Sequence, residues 1–117
     1  MLDLKAKEVG RLIGQSDQYK AVKRSNDGLG ADSTAVALLK RMEDLRNNAQ
    51  QMIERGEEPG EDMEREMDTL LGRVQPMPVY QAAVAAQENF DKLMMQVNTW
   101  IAEGIKSGAA SPIITLG

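Results

Sequence analysis

Pro78-Val-Tyr-Gln-Ala-Ala-Val-Ala-Ala-Gln-Glu-Asn-Phe-Asp-Lys-Leu-Met-Met-Gln-Val-Asn-Thr-Trp-Ile-Ala-Glu-Gly-Ile-Lys106 is the stretch that decides the fold. Val79, Ala83, Ala86, Phe90, Leu93, Val97 and Ile101 recur at spacings of 4, 3, 4, 3, 4 and 4. That rhythm puts them on one side of a helix and fits no strand. Met94, Trp100 and Ile105 broaden the stripe. Pro78 suits a first helical turn, where its missing N–H goes unneeded. At 1.5 Å per residue such a helix spans roughly 40 Å, longer than a compact domain of this size is wide.

Working back from Pro78, Gln75-Pro-Met-Pro78 breaks the chain, because two prolines so close cannot lie inside a helix. Before it, Met63, Met67, Leu70 and Val74 mark a helix over 61–74. Its first turn carries Glu61, Asp62 and Glu64, where the helix dipole favours acids. The Gly56-Glu-Glu-Pro-Gly60 loop precedes it. Leu38, Met42, Leu45, Ala49 and Met52 form a heptad-like, coiled-coil-like stripe on a long helix over 33–55. Asp32 is its expected N-cap. A shorter helix over 17–27 carries Tyr19 and Val22, with Ser16 or Asp17 as its cap and Asn26-Asp-Gly-Leu-Gly30 as its stop. The first helix covers 2–13, with Leu2, Ala6, Val9, Leu12 and Ile13 on one face.

The expected fold class is therefore all-α, with four to five helices. The two longest are expected to pair antiparallel as a helical hairpin or bundle, with the 61–74 helix returning the chain between them. Residues 1–106 form the expected single domain, and 107–117 a flexible tail with an apolar tip at 113–116. Two long helices and one medium one leave apolar stripe uncovered, so a homodimer through the third to fifth helices is expected.

The 117 residues contain no cysteine and no histidine. Those absences remove thiol chemistry, the commonest general base and the commonest transition-metal ligands together. Glu88 and Asp91 could do paired acid–base work only in a pocket that perturbs them, and nothing in the sequence builds one. The acids from Glu57 to Asp68 lack the alternation of a calcium loop. Gly28-Leu-Gly30 lacks the lysine and the preceding strand of a phosphate loop. No enzymatic activity, cofactor or bound metal is expected. With a net charge of −4 the chain repels nucleic-acid backbone, apart from a small basic group at Lys20, Lys23 and Arg24. A nucleic-acid-associated accessory protein using that group is the alternative reading. No run of 18 apolar residues exists and the N-terminus mixes charge into each turn, so the cytoplasm is the expected location.

The order of these pieces resembles the YlbF/YmcA family of small bacterial helical proteins. Ser16-Asp-Gln-Tyr-Lys20 stands at the family's first helix junction, and Gly56-Glu-Glu58 opens an acidic helix start. Gln75-Pro-Met-Pro-Val-Tyr80 is similar to the family's Asn-Pro-x-Ile/Val-x-x-Tyr segment. Ala86-Gln-Glu-Asn-Phe-Asp-Lys-Leu-Met94 is similar to its Ala-Glu/Gln-x-x-Phe-x-x-Leu-Leu/Met segment. The resemblance covers about residues 1–106. It implies a self-associating helical adaptor in a cytoplasmic multiprotein complex with a partner called YaaT. That complex modulates RNase Y, and through it competence, sporulation and biofilm formation. Members of the complex that hold iron–sulfur clusters use cysteines, which this chain lacks. The expected partner-facing residues are Met63, Met67, Tyr80, Phe90, Met94 and Trp100, because flexible Met and large aromatics favour docking surfaces.

Overall fold

A computed structural model of the chain describes residues 1–116, with side chains described to residue 110. It is all-α: α1 Leu2–Gly14, α2 Asp17–Ala31, α3 Ser33–Glu54, α4 Glu61–Val74 and α5 Pro78–Leu116. Local chemistry sets most of the ends. Ser16 caps α2 by accepting from the Tyr19 N–H at 3.1 Å, while its hydroxyl donates to the Ile13 carbonyl at 2.6 Å. Asp32 caps α3 by accepting from the Ala35 N–H at 2.9 Å. After Arg55, Gly56 takes φ +80°, which frees the Glu57 N–H to reach Met52 O at 2.8 Å and the Gly56 N–H to reach Ile53 O at 3.0 Å. That pair of bonds is a Schellman ending.

Two ends differ from the sequence expectation. α2 passes through Gly28 and Gly30 and stops at Ala31 rather than near Asp27. Glycine costs a helix about 1 kcal/mol per residue, which weakens a turn without forbidding it. The stop comes from Asp32, whose φ of −91° and ψ of 105° leave the helical region so that it can cap α3. α5 likewise continues past Lys106 to Leu116. Adding a residue to an existing helix is far easier than starting one, and Ala109 and Ala110 favour it. The apolar tip at 113–116 has side chains outside the described set.

The pairing of helices also differs. α4 folds back antiparallel on α3 through the short 55–60 connection, and α2 lies on α5. The two longest helices, α3 and α5, do not pack along their lengths. α4 already covers the α3 stripe, and α2, longer than expected, covers the N-terminal half of the α5 stripe. The core is Leu38, Met42, Leu45, Leu70 and Val74, with Leu39, Met63, Met67, Leu71, Met77 and Tyr80 packed around it. Ala35, Ala86 and Val97 complete the buried apolar set among the described residues. α1 and α2 contribute no buried residue. The shape follows: the radius of gyration is 21.4 Å, against about 13 Å for a compact chain of this length. The molecule measures 67 × 38 × 21 Å.

Candidate functional site: two apolar clefts

α1 ends at Gly14 and α2 begins at Asp17, with Gln15 and the extended Ser16 between them. α2 follows α5 closely enough to put the Tyr19 and Phe90 rings 5.6 Å apart at 60°. Beyond Ser16 an open cleft of about 430 Å³ lies between α1 and the middle of α5. Val9, Leu12 and Ile13 line one wall, and Leu93, Val97, Trp100 and Ile101 the other. Ser16 is the only polar residue lining it. Leu12 is 59% exposed, Trp100 56% and Ile101 50%. Leu2, Leu4 and Ile105, outside the cleft lining, are more exposed still. A 13-residue helix with no buried side chain is marginal by itself, since isolated helices of that length rarely hold in water.

The α3–α4 hairpin is closed instead. On one side Arg41 grips Glu66 through two parallel hydrogen bonds, Nε to Oε1 at 2.6 Å and Nη2 to Oε2 at 3.0 Å. Those bonds hold the Glu66 carboxyl below its ordinary range and push the Arg41 guanidinium higher. On the other side a shallower cleft runs between Leu45, Arg46 and Ala49 of α3 and Met63, Glu64, Met67 and Asp68 of α4, with Pro59 at its end. Among the described residues no polar or charged side chain is buried. None of their carboxylates group as a metal site would require, and among the described residues no helix is long and apolar enough to cross a membrane. Glu88 and Asp91 are exposed, and Asp91 Oδ1 accepts from Gln87 Nε2 at 2.9 Å. What the geometry offers is apolar contact surface.

A family model described as control of the competence regulator ComK, YlbF/YmcA, matches residues 2–106. The chain belongs to the YlbF/YmcA family. The chain is also similar to relatives called UPF0342 proteins. One from Limosilactobacillus fermentum is 30% identical over 93 residues, 80% of this chain and 78% of that protein. One from Leuconostoc citreum is 22% identical over 105 residues, 90% of this chain and 89% of that protein. The YlbF/YmcA description is regulatory and names no catalytic activity.

In this YlbF/YmcA protein the six residues expected to face partners do not share one surface. Met63 and Met67 are half-buried against the hairpin core and line its shallow cleft. Tyr80 packs against the same core from the start of α5. Phe90 is half-buried beside Tyr19, and Met94 is half-buried further along α5. Trp100 alone stands in the α1–α5 cleft. Lys20, Lys23 and Arg24 are exposed on α2. The sequence places Val9, Leu12, Leu93 and Ile101 on apolar stripes but does not mark them as partner-facing. Their periodicity is plain, but periodicity marks an apolar face without saying whether another element covers it.

Proposed function

We propose that this YlbF/YmcA-family chain is a non-catalytic regulatory adaptor of the bacterial cytoplasm. It works by docking proteins on the apolar cleft between α1 and α5, and a second copy of the chain is its first occupant there. The observation that carries this reading is the cleft itself: both walls are apolar, both are half exposed or more at Leu12, Trp100 and Ile101, and α1 has no other cover. Single exposed apolar residues are ordinary, whereas a contiguous apolar cleft marks an interaction site. A two-fold pair of chains would lay α1 and α5 of each copy against those of the other, in the manner of a four-helix bundle.

The family description supports a regulatory setting, and resemblance to YlbF/YmcA factors extends it to a multiprotein complex that modulates RNase Y-dependent RNA processing. The missing cysteines exclude a thiolate-held cluster on this chain, so its part in such a complex would be contact alone. The test uses the full chain as bait in its native cell. Wild type should enrich RNase Y complex proteins, and Leu12→Asp/Ile101→Asp should lose them. Equal enrichment by both, or none by wild type, refutes the reading.

A further inference from the structure

The α3–α4 hairpin carries a second surface that the α1–α5 cleft does not use. Its floor is apolar: Leu45 and Ala49 face Met63 and Met67 across an open cleft of about 430 Å³. Ile53 lies four residues past Ala49, on the same side of α3, and is 56% exposed. Methionine is unbranched and polarizable, so such a floor adapts to the side chains laid on it.

The rim is acidic. Residues 57–68 carry seven carboxylates against one arginine, an excess of six in a chain whose net charge is −4, which leaves the rest at +2. Arg41 neutralises Glu66 across the hairpin, while Arg65 meets Glu61 at 3.5 Å and Arg55 meets Glu57 at 3.4 Å. Glu64 and Asp68 line the cleft and have no ion-pair partner among the described residues; neither have Glu58 and Asp62 nearby. Arg46 is the one cation lining it. The described carboxylates do not converge on a point, as a metal site would require. Two of them, Glu64 and Asp68, line the apolar floor against the single Arg46, and that local field disfavours anionic partners and nucleic-acid backbone. An amphipathic helix needs an apolar groove for its face, and basic flanks need an acidic rim.

We propose that the α3–α4 cleft docks a cationic amphipathic helix of another protein. The helix lays its apolar face on Leu45, Ala49, Met63 and Met67 and directs Lys or Arg side chains at Glu64 and Asp68. The proposal rests on the adaptor reading only in taking a protein as the occupant, and it uses neither α1 nor α5.

The probe is a fluorescently labelled 18-residue Leu/Lys peptide of helical amphipathic pattern, titrated with the full chain and read by anisotropy. A scrambled peptide of the same composition should bind about tenfold more weakly, because charge without an apolar face cannot use the floor. Glu64→Gln/Asp68→Gln should weaken the patterned peptide about fivefold, as two rim pairs are lost. Ala49→Arg, which places a long side chain on the floor, should weaken it at least about tenfold. Leu12→Asp/Ile101→Asp, in the other cleft, should leave it unchanged. Equal binding of the scrambled peptide, full binding by the Glu64/Asp68 variant, or no binding by wild type each overturns the proposal. So does loss of self-association in the Glu64/Asp68 variant, which would make a second copy the occupant. The Glu64/Asp68 pair is exposed, so that variant reports even where Ala49→Arg fails to fold. Failure with the peptide while the chain's mass stays dimeric strikes this proposal alone, whereas a monomer mass strikes only the self-association reading.

Discussion

The α3–α4 hairpin and the α1–α5 end are built from the same kind of sequence and reach opposite outcomes. Each offers two helices with apolar stripes at helical spacing. In the hairpin the stripes meet, burying Leu38, Met42, Leu45, Leu70 and Val74, and Arg41 locks Glu66 across the seam. At the other end only Val97 is buried; Leu12, Trp100, Ile101 and Ile105 stay half exposed or more, and α1 has no buried residue. The short loop after Gly56 forces α4 back onto α3. The break at Ser16 instead leaves an open cleft between α1 and α5. An apolar stripe therefore becomes core or stays exposed according to the connection beside it.

The sharpest way to break this comparison is to place the same charge in each region. Val74→Asp puts a carboxylate at a fully buried position and should cost at least about 4 kcal/mol, leaving the chain unfolded by circular dichroism. A folded Val74→Asp protein would mean the hairpin is not the core. Leu45→Ala should cost about 3 kcal/mol in denaturant titration, since Leu45 is 4% exposed and its removal leaves a cavity. Leu12→Ala should change the stability of the isolated chain by under about 1 kcal/mol, because water already reaches it. A loss at Leu12 as large as that at Leu45, measured at high dilution, would erase the distinction between the regions.

Smaller effects sharpen it. Asp32→Ala should lower stability by about 1 kcal/mol through loss of the α3 cap, measured by thermal unfolding. Acid should loosen the hairpin before the other end. The Glu66 carboxyl is depressed in the folded chain, first by the Arg41 hydrogen bonds, so its contribution is present above about pH 4.5 and is lost as pH falls through its lower folded value. Glu66→Gln should flatten that acid limb by lowering the neutral plateau by the same amount, and the effect should be small because the pair is exposed to solvent. An unaltered acid limb would show that other carboxylates carry it.

Much of this was legible in the residues. The stripes, the caps at Ser16 and Asp32, the Gly56 ending and Pro78 at a first turn all follow from local rules. Pairing was not, because α3 and α5 carry matching stripes and length alone suggests they should meet. What decided otherwise was a longer α2, whose passage through Gly28 and Gly30 depends on small energies that the sequence does not rank. The contact residues suffered from the same gap. Met63, Met67, Tyr80, Phe90, Met94 and Trp100 are apolar helix positions, and only the three-dimensional pairing separates those beside the core from Trp100 in the open cleft.

The mass of the full chain in solution tests the central claim most directly. Light scattering at micromolar concentration should give a particle of twice 12.9 kDa, and Leu12→Asp/Ile101→Asp should return it to a single chain while staying helical. A wild-type mass of one chain would contradict the account, as would a dimer that survives both charges in the α1–α5 cleft.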